Sequence, residues 1–154
     1  MLKYEQLQSL EEYLDQIDKT LLKEGVRYSF EYPRKSIHPW NAEELGKVNK
    51  STLDAVSGSA NVYAIFTAEK NSEEFLLRYI GKTKRKLARE RIRNHLIKKN
   101  ERTGAKLGNI VEHVNLGGSV KISWVKIEPE SLRNYIEEEL IARHSEADWN
   151  RENA

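Results

Sequence analysis

The chain has 154 residues, the length of one domain built around one buried core. Charged residues make up 32% and apolar ones 38%, a balance suited to a globular protein in water, and no apolar run approaches the roughly 20 residues that a bilayer requires. Cysteine is absent, which excludes disulfides, thiolate metal sites and cysteine nucleophiles; the acidic, helical opening MLKYEQLQSLEEYL does not read as a secretory signal, so the expected setting is cytoplasmic.

Net charge is only +2, but it is unevenly spread. From Lys82 to Lys106 the segment KTKRKLARERIRNHLIKKNERTGAK is dominated by lysine and arginine, opposed only by Glu90 and Glu101. Acidic residues gather in the first turns of the chain and at Glu137, Glu138 and Glu139. A basic stripe on one element is an electrostatic footprint for phosphate, although a solvated helix face looks the same.

In chain order, a first helix is predicted over Tyr4 to Lys23. Leu7, Leu10, Leu14, Ile17 and Leu21 form one apolar stripe at steps of three and four, and Gly25 stops it. The stripe suits packing on its own domain or pairing with a copy of itself. Val26 to Ser59, punctuated by Pro33, Pro39, Gly46 and Gly58, reads as irregular, with Trp40 and the Tyr28-Phe30-Tyr32 alternation marking short packed pieces. Two strands follow, Asn61 to Thr67 and Phe75 to Ile80, joined as an antiparallel hairpin. A helix is expected from Lys86 to Lys99 with Ala88, Ile92 and Leu96 inward, then a shorter one around Ala105 to Val114. A third strand spans Val120 to Ile127. The last helix opens at Pro129 and Ser131, with Leu132, Ile136 and Leu140 inward. The expected fold class is therefore α+β, a small three-stranded antiparallel sheet flanked by helices.

Tyr63 and Tyr79 sit on the two hairpin strands, where their hydroxyls can approach one another. Gly81 allows a sharp turn or the close approach of a ligand to the backbone. Arg91 and His95, four apart, share a helix face beside the apolar stripe, a position from which a guanidinium can reach a phosphate in a cleft. Glu137 borders the apolar face of the last helix, whereas Glu138 points to solvent; a single carboxylate there suits one Mg²⁺, which keeps several waters and accepts substrate oxygens. Taken singly, each has a plain reading as a strand tyrosine, a surface charge or one acid among several.

Taken in order, NVYAIF, RYIGKT, RERIRNHL, EEELIARH and WN resemble the GIY-YIG nuclease domain over about Asn61 to Asn150. The resemblance implies a GIY-YIG-like domain over residues 61–154, with residues 1–60 as a helical extension that packs on it or dimerises it through the first helix. It implies Tyr63 and Tyr79 as the motif tyrosines, the first a general base for water, Arg91 on the scissile phosphate with His95 assisting, and Glu137 holding one divalent metal, Mg²⁺ or Mn²⁺. Asn150 orders the site by hydrogen bonds. The substrate-binding set is Gly81, Lys82, Lys84, Arg89, Lys98 and Lys106. Lys82, Arg91, His95 and the metal are the cations expected to favour the tyrosine phenolate. The sequence departs from the pattern where Asn61 occupies the first motif's glycine position and where the common proline between Glu137 and Asn150 is missing. The long loop after Gly81 leaves Arg89 as a second candidate, with Arg91 preferred for its histidine four residues on. The implied function is a metal-dependent endonuclease of DNA, double-stranded DNA favoured, of restriction or phage and mobile-element type. The alternative is a catalytically idle module that binds nucleic acid or a protein partner.

Overall fold

Strand β2 (Val62–Ala68) is buried at every position, because helices cover both faces of the sheet it centres. Its composition, VYAIFTA, is the near-continuous β-branched and aromatic run that a doubly covered strand requires. The computed structural model describes residues 1–34, 36–98 and 105–151. Residues 99–104 of the basic stripe lie outside the described residues.

The sheet is α+β in context and entirely antiparallel, with strand order β1-β4-β2-β3. β2 pairs with β3 (Leu76–Lys82), setting Tyr63 opposite Gly81 and Ile65 opposite Tyr79, with a bulge between Ile65 and Phe66. On its other side β2 pairs with β4 (Ser119–Val125), where Tyr63 faces Trp124. The three strands expected from sequence become four, since β1 (Tyr28–Phe30) adds to the far edge of β4. The Tyr28-Phe30-Tyr32 alternation marked a packed piece there, but a strand of three residues is too short for it to decide for a strand. The same stretch read as irregular also holds helices α2 (Ala42–Val48) and α3 (Lys50–Val56). The Asn41 side chain caps α2 by accepting from the Glu44 amide at 3.0 Å. Asn49, buried between the two helices, accepts from the Glu31 N–H and donates to the Glu31 carbonyl.

One face of the sheet is covered by α1 (Leu7–Leu22) and α6 (Arg133–Arg143). Leu14, Ile17, Leu21, Ile136 and Leu140 pack there on Val62, Ala64, Phe66 and Ile80. The other face carries α3, α4 (Ala88–Leu96) and α5 (Leu107–Asn115), with Leu53, Ile92, Leu96, Ile110 and Val114 on Tyr63, Ile65 and Ile122. Both cores draw on the first sixty residues.

Three boundaries shift for visible reasons. Helix α4 ends at Leu96, where the Tyr32 hydroxyl donates to the Leu96 carbonyl at 2.8 Å and the Trp40 indole to the Ile97 carbonyl at 2.6 Å. β4 stops at Val125 because the Ile127 amide donates to the Asn61 side chain rather than to a strand. A single 3₁₀ turn, Glu130–Leu132, precedes α6. Among the described residues no helix is long and apolar enough to cross a membrane.

Candidate active site

The expected site residues converge around β3, an edge strand with α6 over one face and its Tyr79 ring against His95 of α4 on the other. The two strand tyrosines meet as the hairpin register requires, their ring centroids 6.3 Å apart. Tyr63 is 0% exposed, while Tyr79 remains partly open to solvent. Gly81 has a different use from the one its sequence context suggests. A Cβ built there would lie 2.4 Å from both Cζ and Oη of Tyr63, so the missing side chain makes room for the Tyr63 ring rather than for a ligand.

His95 fixes the chemistry of Tyr63. Its Nδ1 accepts the backbone N–H of Lys106 at 2.9 Å, so in the neutral ring the proton sits on Nε2. Nε2 then donates to Tyr63 Oη at 2.7 Å. Burial, reinforced by the nearby charges of Arg91 and Lys106, holds the His95 pKa down to about 3. The expectation that His95 adds positive charge to the site is thereby corrected: at neutral pH it is an uncharged donor, because a fully buried imidazolium would lose its hydration beside two cations. Arg91 Nε donates to the same hydroxyl at 3.3 Å, and its guanidinium also acts on Tyr79. Tyr63 Oη thus receives two N–H donors. Burial still raises its pKa above the phenol's ordinary value, more than Arg91 lowers it, and Tyr79 is raised in the same way.

Glu137 approaches from α6. Its side chain is 18% exposed, Lys82 Nζ lies 3.6 Å from Oε1, and burial raises its pKa against the opposing pull of Lys82 and Arg91. The donor set fits a divalent metal of a particular kind. Among the described residues no group of three or more His, Asp or Glu side chains is arranged to hold a metal, so an ion here would have Glu137 as its protein ligand and complete its shell with water and phosphate oxygens, as Mg²⁺ commonly does. Asn150, on the 3₁₀ turn Asp148–Asn150, accepts from the Ile80 N–H and donates to the Ile80 carbonyl, both at 2.8 Å. It thereby occupies both backbone groups of a residue on the exposed edge of β3, between Tyr79 and Gly81.

The expected substrate contacts divide. Lys82 and Lys84 are exposed and line a cleft of about 320 Å³ with Thr83, Leu87, Glu90, Arg91 and Asn94. Lys98 is exposed just beyond α4. Lys106 is buried, its ammonium 5.7 Å from the centre of the Tyr79 ring. Arg89 points away and pairs with Asp54 on α3, so the choice between the two arginines falls to Arg91.

Asn61, the departure from the motif glycine, is a hub that sequence reasoning missed. Its amide nitrogen donates to the Thr83 carbonyl at 3.1 Å and to Glu130 at 3.0 Å; its oxygen accepts from the Ile127 amide at 3.0 Å and from Arg85 at 3.1 Å. All four hydrogen-bonding positions of the side chain are used. Arg85 also binds Glu128 and the Ile127 carbonyl, which ties the start of α4 to the connection before α6. Partners so distant in sequence leave no local signature. No protein-family model, curated protein or solved structure matches this chain.

Proposed function

We propose that the chain is a metal-dependent endonuclease of GIY-YIG type and fold that hydrolyses phosphodiester bonds of DNA, double-stranded DNA favoured, in a cytoplasmic setting. The observation that supports this reading best is the meeting, around one exposed strand edge, of a tyrosine pair, a guanidinium bound to it and a half-buried carboxylate with a single weak ion pair.

Hydrolysis of a phosphodiester requires a proton acceptor for water, neutralisation of charge at phosphorus and stabilisation of the leaving oxygen. Arg91 holds the non-bridging oxygens, where its planar donors match the phosphate. The tyrosine pair takes the proton. Tyr79 is the member that water reaches, and the buried Tyr63, held by His95 and Arg91, stands behind it. Lys82 and Lys84 bind the flanking backbone phosphates. A divalent cation on Glu137 would supply charge neutralisation at the leaving 3′ oxygen. Because burial keeps both phenols protonated near neutrality, the rate should climb by up to about tenfold per pH unit into the alkaline range.

The test is cleavage of plasmid and oligonucleotide DNA by the purified chain with Mg²⁺, Mn²⁺ or EDTA, beside Glu137→Ala. Cutting that needs the metal and disappears in the variant supports the assignment. Binding without cutting under every condition overturns it in favour of a catalytically idle binding module.

A further inference from the structure

Asn94 has no part in the chemistry above, and its surroundings are unusual. It is 7% exposed, and its side-chain amide, to which no other described residue is hydrogen-bonded, opens into a cleft. An amide that meets solvent only at the wall of a cleft is free to bond a ligand that enters it. Asn94 lies three residues after Arg91 and seven after Leu87, along the stripe of α4 that faces the 320 Å³ cleft. Lys82, Thr83 and Lys84, from the end of β3, form the opposite wall. The volume is at the lower end of the range for small-ligand sites, about the size of one nucleotide.

The amide's chemistry separates the two halves of a nucleotide. A phosphate offers acceptors only; it would satisfy the Asn94 nitrogen and leave the oxygen unpaired. A nucleobase edge offers donors and acceptors together. The two ammonium groups and Arg91 already provide for phosphate, while the Glu90 carboxylate in the cleft repels a second anion. Leu87, 47% exposed, gives an aromatic ring an apolar surface to lie on.

We propose that this cleft receives the base adjacent to the scissile phosphate and that Asn94 reads its edge, adenine with its N7 acceptor and N6 donor being the best match. The assignment rests on the nuclease reading in that it takes Arg91 as the holder of the scissile phosphate.

Selection from randomised oligonucleotide duplexes by the full chain, in Ca²⁺ to separate binding from cutting, tests it with wild type, Asn94→Ala and Asn94→Asp. Wild type should enrich one base at one position. Asn94→Ala should flatten that position alone, with overall affinity reduced less than about tenfold. Asn94→Asp, which only accepts, should move the preference toward cytosine. The melting temperature of Asn94→Ala should stay level or rise, since no partner is lost. An alanine profile identical to wild type, a flat wild-type profile or no binding would each overturn the proposal. Cleavage in Mg²⁺ is scored separately: selective binding without cutting removes the nuclease reading and keeps the base site, and cutting without base preference does the reverse.

Discussion

The two flanks of β3 are finished to different degrees. On the α4 flank, folding itself satisfies the groups around Tyr63: the Lys106 amide serves His95, and His95 and Arg91 serve Tyr63. On the α6 flank, Glu137 has one ion pair at 3.6 Å and a carboxyl raised by burial. The first flank is a fixed template that exists before substrate arrives. The second is left incomplete, and a cation and a phosphate can complete it. Damage to the first should therefore appear in stability and activity together, and damage to the second in activity alone.

Glu137→Gln and Arg91→Ala should have the largest effects. On the proposed function Arg91→Ala removes the charge that meets the phosphodiester and Glu137→Gln the one that would hold the cation, and each is expected to cut kcat/KM by about 10³-fold or more. The flanks should separate in calorimetry. Glu137→Gln should melt no lower than wild type, because it removes a carboxylate whose charge burial disfavours. Arg91→Ala strips Tyr63 Oη of one of its two donors and should melt lower. Arg91→Lys should not restore activity, since an ammonium lacks the fork. Equal melting shifts in Glu137→Gln and Arg91→Ala would dissolve the contrast.

Gly81→Ala should come next. The new Cβ would press on the Tyr63 ring and displace its hydroxyl from His95 and Arg91, costing about 1–3 kcal/mol of stability as overpacking does. A double-mutant cycle sharpens the point: in a Tyr63→Leu background the penalty of Gly81→Ala should largely vanish. A penalty that persists there would mean that the backbone, not the ring, requires glycine.

His95 gives a smaller, pH-dependent effect. Its native pKa of about 3 lies below the value near 6.5 of an unfolded histidine, so between these limits the unfolded chain binds the extra proton. Stability is lost as pH falls through that window, by roughly 1.4 kcal/mol per unit for a fully separated group. His95→Gln keeps a donor toward Tyr63 but cannot titrate, so its denaturation profile should be flatter between pH 6 and 3. His95→Leu should flatten the profile equally but lower activity further, since it leaves Tyr63 with Arg91 alone.

How far the sequence could disclose this site follows from where the bonds go. Tyr63, Tyr79, Arg91, His95 and Glu137 were legible because each stands at a fixed place on a regular element, and regular elements turn spacing into direction. The first helix was legible too, but Val26 to Ser59 was misread because its elements are three and seven residues long. What holds them is remote: Asn49 bonds to Glu31, and Tyr32 and Trp40 to the end of α4. Asn61 could be seen as a departure from a glycine, but its compensation by Arg85, Glu130 and Ile127 depends on groups brought together only by the fold. The neutral state of His95 was hidden for the same reason, as it depends on burial and on a backbone amide eleven residues away.

The smallest effect should come from the arginine that sequence could not dismiss. Arg89 and Arg91 are two residues apart on one helix, so they point in opposed directions, and the pattern alone does not say which faces the tyrosines. Arg89 meets Asp54 at the solvent-exposed contact of α3 and α4. Ion pairs of that kind contribute little to folding, being screened and costly in side-chain entropy. Arg89→Ala should therefore keep activity within about twofold and leave the melting temperature nearly unchanged, and Asp54→Ala should behave alike. A loss in Arg89→Ala approaching that of Arg91→Ala, with Asp54→Ala silent, would mean that Arg89 leaves its partner to bind substrate, and the α4 flank would then be a less finished template than its hydrogen bonds describe.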